Sequence, residues 1–178
     1  MYNISNIIIQ AGVNTLGTDN VTAWATYGKV DGLYWMMINA LGISVTTFVG
    51  QNYGAGKYHR MRKSVRVCMV MAYISAFIVS GALILFANPI YHLFTTDQVV
   101  VHMIRFLIPS YAIYVVIGIL SGALRGAGRV LVPMILTCGG VCLLRIIWLF
   151  AFVRSHPGIE SIMLSYPVSW IITAVLFV

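Results

Sequence analysis

Four ionisable side chains lie inside long apolar stretches of the sequence, where a charge is unusual. They are Lys29, Asp31, Arg105 and Arg145. Counted from the nearest turns at about 1.5 Å per residue, each lies roughly 12–16 Å along a helix. If these helices cross a bilayer, the four side chains share a depth near its centre, where a lone charge costs at least about 2.5–3.5 kcal/mol. We therefore expect Asp31 to face the interior of a helix bundle.

Asp31 is the only acidic residue at that depth, so we expect it to pair with Arg145 or Arg105. One interpretation is a fixed ion pair that holds the bundle together. The other is a group that titrates or contacts a substrate, since ionisable residues inside a membrane usually mark transport pathways. The sequence leaves both interpretations open.

A row of amide side chains recurs at helical spacing in the first apolar stretch, at Asn3, Asn6, Gln10 and Asn14. Each unpaired polar group in hydrocarbon costs several kcal/mol, so this face of the helix should be turned away from lipid. It either forms hydrogen bonds with other helices or lines a substrate cavity. Asn39, in the second apolar stretch, is a further candidate for such a cavity.

The composition indicates that lipid surrounds these elements. Of 178 residues, 60% are hydrophobic and 8% are charged, whereas about a quarter of a soluble domain is charged. The chain therefore predicts an all-α integral membrane protein, a single six-helix transmembrane bundle over residues 1–178. The predicted helices are at about 1–16, 20–50, 64–87, 98–124, 130–153 and 159–178. The first and last are still apolar where the chain ends, so we expect the bundle to be truncated at both ends.

Small residues and prolines predict details of the packing. Two sets of glycines spaced four residues apart indicate close helix approach: Gly28 with Gly32, and Gly118 with Gly122 and Gly126. Pro109 and Pro167 lie inside predicted helices and should kink them.

Lys and Arg residues concentrate in alternate connections between the helices. Eight of them lie in loops or next to them: Lys57, Arg60, Arg62, Lys63 and Arg66 after the second helix, Arg125 and Arg129 after the fourth, and Arg154 alone on the opposite side. Cytoplasmic loops are the ones enriched in Lys and Arg. Residues 51–66 and 125–130 are therefore predicted to be cytoplasmic.

Several function classes are disfavoured. The histidines lie at loops or helix ends, and no cluster with catalytic or metal-ligand spacing appears, so we expect neither an enzyme, a metal site nor a bound cofactor. Cys68, Cys138 and Cys142 are interpreted as free packing thiols. The net charge of +7 is carried by loops between apolar helices rather than by a basic domain, so nucleic acid is not an expected partner.

Two connector motifs carry a resemblance to a known family. The first extends from Phe48 to Lys57, and the second from Leu124 to Gly128 with a proline shortly after it. Their characteristic residues are Gln51, Asn52 and Gly54 in the first, and Arg125, Gly126, Gly128 and Pro133 in the second. In this order, on successive cytoplasmic loops, the motifs resemble the multidrug and toxic compound extrusion (MATE) family.

The resemblance implies a twelve-helix transporter of two six-helix lobes, of which this chain is similar to the C-terminal one. It also implies antiport across the plasma membrane (the bacterial inner membrane), in which entry of Na⁺ or H⁺ drives export of cationic, amphipathic compounds. The implied partners are these substrates, membrane lipids and the other lobe. The motif residues are expected to cap helices rather than bind substrate.

The chain departs from the family in one respect. Some members bind the cation in the C-terminal lobe through acidic residues on its first and fourth helices. Here the first helix carries the amide row, and the fourth offers Tyr111 and Tyr114 at the matching depth. Coupling would then use Asp31 or a carboxylate in the other lobe.

Two alternatives remain at the level of the sequence. A lipid-linked oligosaccharide flippase of the same superfamily would line its cavity with cations, which Lys29, Arg105 and Arg145 could supply. A non-transporting fragment is the other alternative, because one lobe has no partner against which to alternate access.

Overall fold

The structure is a computed structural model that describes residues 2–15, 17–85, 98–153 and 158–178, and its regular elements in these ranges are all helical. The first three helices are α1 (Tyr2–Asn14), α2 (Thr18–Gly54) and α3 (Tyr58–Leu85). α4 (Gln98–Leu107) continues through a 3-10 turn (Ile108–Ser110) into α5 (Tyr111–Gly126). α6 (Leu131–Thr137) and α7 (Leu144–Trp148) are joined by a π-helical turn (Cys138–Leu143), and a second π turn (Leu149–Val153) follows α7. The last helix is α8 (Ile159–Phe177).

Five helical segments in the described ranges are long and apolar enough to cross a membrane. They correspond to the predicted second to sixth helices. α1 has 13 residues and precedes them. The fold class predicted from the sequence, an all-α membrane bundle, is confirmed.

The helices around the first basic loop are longer than predicted. α2 has 37 residues, a length of roughly 55 Å, whereas the hydrocarbon core is only about 30 Å thick. α3 begins at Tyr58 rather than near residue 64. Lys and Arg are good helix formers, so the charged segment forms the first turns of α3 instead of a loop.

Pro109 interrupts the fourth predicted helix, as expected. It lies in the 3-10 turn between α4 and α5, because its ring excludes the regular backbone hydrogen bond of an α-helix. Pro167 lies inside α8, which remains helical on both sides of it.

α2 and α5 cross closely, and glycines make this crossing possible. A Cβ atom on Gly122 would lie 2.7 Å from the Gly42 carbonyl oxygen. The Thr46 hydroxyl donates to the Gly122 carbonyl at 2.9 Å across this contact. A Cβ on Gly126 would likewise meet the backbone of Gly50, at 3.1 Å from its nitrogen.

The same expectation for Gly28 and Gly32 is wrong. No atom outside their own helix lies within 4 Å of a Cβ built on either residue. Gly28 instead borders an open cavity. A spacing of four residues therefore identified one real helix crossing and one glycine pair with open space beside it.

Aromatic rings fill the centre of the bundle. Tyr34 on α2 stacks on Tyr111 of α5 with ring centroids 4.2 Å apart. Trp170 on α8 contacts both Tyr111 and Tyr114 at 5.2 Å. The Tyr34 hydroxyl donates to the Ala76 carbonyl at 2.7 Å, which ties α3 to the same cluster. This buried aromatic layer lies behind the polar residues of α2.

Candidate functional site

A cavity of about 240 Å³ opens between α1, α2, α7 and α8. Its polar lining residues include Asn6, Gln10, Asp31 and Arg145, all of which were singled out from the sequence. Aromatic side chains form much of the remaining wall. They are Trp24, Tyr27, Trp35 and Tyr166.

Asp31 is held in this cavity by neutral donors on its own helix. The Tyr27 hydroxyl, one turn earlier, lies 3.4 Å from Asp31 Oδ1. The side chain of Trp35, one turn later, donates a further hydrogen bond to the carboxylate. Residues four apart lie on the same face of a helix, so α2 itself presents the carboxylate between two aromatic rings.

Arg145 approaches the cavity from the opposite wall. It is 3% exposed, and its guanidinium carbon lies 3.8 Å above the centre of the Tyr166 ring. Arg145 Nε has no hydrogen-bond partner. The Tyr166 ring is therefore a principal neighbour of this buried cation.

The prediction that Asp31 pairs with Arg145 or Arg105 is not met by a direct contact. Among the described residues no ion pair joins Asp31 to either arginine, although the charges of Asp31 and Arg145 attract each other across the shared cavity. Each charged group has other neighbours: the Arg145 guanidinium lies over the Tyr166 ring, and the Asp31 carboxylate accepts hydrogen bonds from Tyr27 and Trp35. Asp31 and Arg145 therefore line one cavity without a direct contact between them.

Arg105 and Lys29 do not line this cavity. Arg105 is exposed near the end of α4. Lys29 is exposed on α2. It is two residues before Asp31, which corresponds to about 200° of rotation around the helix, so the two side chains point in nearly opposite directions. Equal depth in the membrane therefore did not place all four charges together.

The amide row is divided in its roles. Asn6 and Gln10 line the cavity, and the Gln10 amide also donates to the Asn14 carbonyl oxygen at 3.0 Å. The row therefore combines a polar cavity wall with a hydrogen bond along its own helix. The side chain of Asn3 lies outside the described part of the structure.

The two tyrosines predicted on the fourth helix lie behind the cavity. The Tyr111 hydroxyl is 2.7 Å from the Tyr27 hydroxyl, so a chain of hydrogen bonds leads from α5 to Asp31. Tyr114 packs against Trp35 with ring centroids 4.9 Å apart. Both tyrosines therefore support the residues that contact Asp31 directly.

A second polar cavity, also of about 240 Å³, lies on the other side of Trp35. It extends between α2, α5 and α6 and includes Asn39 and Tyr114 among its lining residues. Arg125 lines it as well, and its Nε donates to the Ser121 carbonyl at 3.3 Å. Trp35 borders both cavities, so its side chain separates the Asp31 region from the Arg125 region.

The two motif loops have the same local structure. At the first, Lys57 N–H donates to the Asn52 carbonyl and Gly56 N–H to the Tyr53 carbonyl, with φ +68° at Gly56. At the second, the corresponding bonds run from Arg129 to Leu124 and from Gly128 to Arg125, with φ +80° at Gly128. Both are helix C-caps of the Schellman type, which require a left-handed residue and favour glycine.

The other motif residues belong to the ends of these helices. Gln51 is exposed, and the Asn52 side chain donates to the Phe48 carbonyl at 2.7 Å. Gly54 has open space around it. Pro133 is buried in the first turn of α6, where a missing N–H does little harm.

None of the four aromatic residues of the cavity wall was predicted from the sequence. Trp24 and Tyr27 lie seven and four residues before Asp31, and Trp35 lies four residues after it. These are spacings of one helix face, so they could have been found by counting from Asp31. Tyr166 carries no comparable signal. It meets Arg145 only because α7 and α8 pack together.

Comparison with known proteins places this bundle in a family. The sequence model of the MatE family matches residues 1–150. The chain is 25% identical to the probable multidrug resistance protein YoeA of Bacillus subtilis (strain 168), over 99% of this chain and 39% of that protein. It is 26% identical to the probable multidrug resistance protein NorM of Thermotoga maritima, over 75% of this chain and 31% of that protein.

A solved structure has the same fold. It is described as the outward-facing conformation of a multidrug resistance MATE family transporter of the MOP superfamily, and it matches with a TM-score of 0.91 at 15% identity. The match covers 99% of this chain and 40% of that one. The chain thus spans about two fifths of the length of these relatives. The family match over most of its length and the shared helical fold show that the chain belongs to the MatE family of membrane transporters.

Proposed function

We propose that the full-length protein is a cation-coupled exporter of cationic, amphipathic compounds, and that Asp31 is the acidic group of this lobe that takes part in transport. The observation that carries the proposal is the position of Asp31 in a cavity walled by Trp24, Tyr27, Trp35 and Tyr166. Aromatic faces attract organic cations, and a carboxylate supplies the opposite charge.

The same cavity has the chemistry needed by a small coupling ion. Na⁺ is a hard cation that takes oxygen ligands, and the Asp31 carboxylate, the Tyr27 hydroxyl and the amides of Asn6 and Gln10 offer such oxygens. A proton would need only the carboxylate. Either ion would neutralise Asp31 and so weaken its attraction to Arg145, which provides a local link between ion occupancy and the position of α7.

The flippase alternative is less well supported. It depended on several cations lining one cavity, whereas Lys29 and Arg105 lie outside the cavity that contains Arg145. The charged residues that line this cavity are one acid, Asp31, and one base, Arg145. This balance suits exchange between a coupling ion and an organic cation better than retention of an anionic lipid carrier.

The proposal concerns the full-length protein because the relatives are longer than this chain. Alternating access in transporters built from repeats requires the repeats to move against each other. We therefore propose that a second six-helix lobe completes the transport pathway.

Replacement of Asp31 by Asn tests the proposal. In cells that express the full-length protein, Asp31→Asn should reduce ethidium export at least about tenfold, since loss of even 1.4 kcal/mol of interaction corresponds to a factor of about ten. Proteoliposomes with an imposed Na⁺ or pH gradient would then identify the coupling ion.

Glu160→Gln is the matched control, since it removes an exposed carboxylate at the start of α8 outside this cavity. It should leave ethidium export unchanged. If the Asp31→Asn variant exports ethidium and couples to the ion gradient at the wild-type level, Asp31 has no part in transport.

A further inference from the structure

An open groove lies on the outer surface of the bundle, between the end of α2 and the start of α3. Its volume is about 490 Å³. At one end it is lined by Arg60, Lys63 and Ser64, and further along by the apolar side chains of Phe48, Val67 and Met71. The groove is thus cationic at one end and apolar at the other.

The arrangement follows from the periodicity of α3. Arg60, Ser64, Val67 and Met71 recur at intervals of three and four residues, so they form one stripe along the helix. The stripe extends for about 16 Å from the charged end to Met71. Phe48 completes the groove from α2 and is 56% exposed.

No acidic residue nearby in the sequence balances the positive charge at this end of the groove. Lys57, Arg60, Arg62, Lys63 and Arg66 are close together in the chain, and no acidic residue occurs between Asp31 and Asp97. In the described part of the structure, no carboxylate lies within ion-pair distance of Arg60 or Lys63. The Ser64 hydroxyl is already donated to the Arg60 carbonyl at 2.7 Å. The two cations are therefore available to an anionic ligand.

The position along the helix agrees with a membrane interface. α2 is longer than the hydrocarbon core requires, so one of its ends must reach the headgroup region. Lys and Arg are abundant at the end that carries this groove, and Tyr53 and Tyr58 form an edge-to-face aromatic pair there, at 5.8 Å. Aromatic and basic residues are typical of the boundary between lipid and water.

From these observations we infer that the groove binds an anionic phospholipid of the inner leaflet. Arg60 and Lys63 contact its phosphate group, and the stripe through Val67 and Met71 contacts the upper part of an acyl chain. Basic sites between transmembrane helices on the cytoplasmic side are suited to anionic headgroups. The apolar half of the groove selects a lipid rather than a free phosphate ion.

Native mass spectrometry of the full-length protein tests the inference. The protein would be titrated with phosphatidylglycerol and with phosphatidylcholine of identical acyl chains. We expect preferential retention of phosphatidylglycerol, and about a tenfold or greater loss of that preference in the double variant Arg60→Gln/Lys63→Gln, because each cation near an anionic surface contributes substantially to attraction.

The matched control is Arg62→Gln/Arg66→Gln, which removes the same charge from the same segment outside the groove. It should retain most of the preference. Equal losses in the two double variants, or no preference in the wild-type protein, would overturn the inference. If the first double variant does not fold, Arg60→Gln and Lys63→Gln are measured singly, and each should lose part of the preference.

A competition arm separates a lipid from a free anion. Soluble glycerol phosphate, which has the charge but no acyl chains, should fail to displace phosphatidylglycerol at equal concentration. Displacement by glycerol phosphate would show that the groove is an anion site without a lipid component, and the inference would be wrong.

Discussion

At the scale of single residues, the main feature is a carboxylate and a guanidinium that share a cavity but bind different partners. Asp31 receives hydrogen bonds from Tyr27 and Trp35, while Arg145 lies over the ring of Tyr166. A direct ion pair inside a membrane would be hard to separate, because few alternative partners exist there. The aromatic neighbours of Asp31 and Arg145 would leave the space between the two charged groups open to the substrate or ion proposed above.

The sequence predicted the charges of this site more completely than their arrangement. Depth along a helix can be counted from the turns, and Asp31 and Arg145 do line the same cavity, although the ion pair predicted between them is not seen among the described residues. Depth does not give rotation about the helix axis. The opposite directions of Lys29 and Asp31 can be calculated from the 100° step of an α-helix, which gives about 200° over two residues. The position of Arg105 depends on how α4 packs, which the spacing does not give.

Substitution of Tyr166 should separate the contribution of its ring from that of its hydroxyl group. Tyr166→Phe keeps the aromatic face beneath Arg145, so the thermal stability of the purified protein should change little. Tyr166→Leu removes that face, and we expect a loss of about 0.5–2 kcal/mol, the usual range for a cation–π contact. The measurement is thermal unfolding in detergent, followed by tryptophan fluorescence. Equal stability of the Phe and Leu variants would contradict this role for the ring.

At the scale of helices, the main feature is the close crossing of α2 and α5. Gly42 and Gly122 let the two backbones approach, and Thr46 donates across the crossing. The sequence predicted this contact on the α5 side from the spacing of its glycines. It could not distinguish that ridge from Gly28 and Gly32, because spacing alone does not say which helix face meets a neighbour.

The π-helical turns were beyond sequence reasoning for a related reason. Cys138–Leu143 and Leu149–Val153 flank α7 and set the rotation at which Arg145 enters the cavity. A π turn is stabilised by its packing environment rather than by a strong local sequence preference. Gly140 marks the first of these turns, since a Cβ there would collide with Thr173 of α8.

Gly122→Ala tests the importance of the α2–α5 crossing. A Cβ would lie 2.7 Å from both the Gly42 carbonyl oxygen and a Val45 methyl group, so the helices must separate. Overpacking of this kind typically costs about 1–3 kcal/mol, and the temperature of thermal unfolding should fall accordingly. The control is Gly81→Ala on α3, where a Cβ has open space and better helix propensity should leave stability equal or higher. A Gly122→Ala protein as stable as wild type would show that the crossing is easily rearranged.

At the scale of the whole molecule, the chain is a multi-pass inner-membrane protein of the MatE family. The two motif loops lie at the same end of the bundle, since a Cβ on Gly50 would be 3.3 Å from the Gly126 carbonyl oxygen. Their basic residues predict that this end is cytoplasmic.

Cysteine labelling tests that orientation. In a background with Cys68, Cys138 and Cys142 replaced by Ala, single cysteines would be introduced as Lys57→Cys, Arg129→Cys or Thr18→Cys. A maleimide that does not cross membranes should label Thr18→Cys in intact cells, and the other two variants only after permeabilisation, because charged loops retain their side of the membrane. Labelling of Lys57→Cys from outside would reverse the predicted topology.

The unusual length of α2 has a mechanical consequence. Asp31 and Phe48 are on one continuous helix, which crosses α5 near Thr46. Asp31 lies about 22 Å from that crossing, so a tilt of roughly 10° would move it about 4 Å, whereas Phe48 lies within about 3 Å of the crossing and would hardly move. A tilt of α2 about this crossing would therefore change the shape of the Asp31 cavity and leave Phe48, beside the proposed lipid groove, almost stationary.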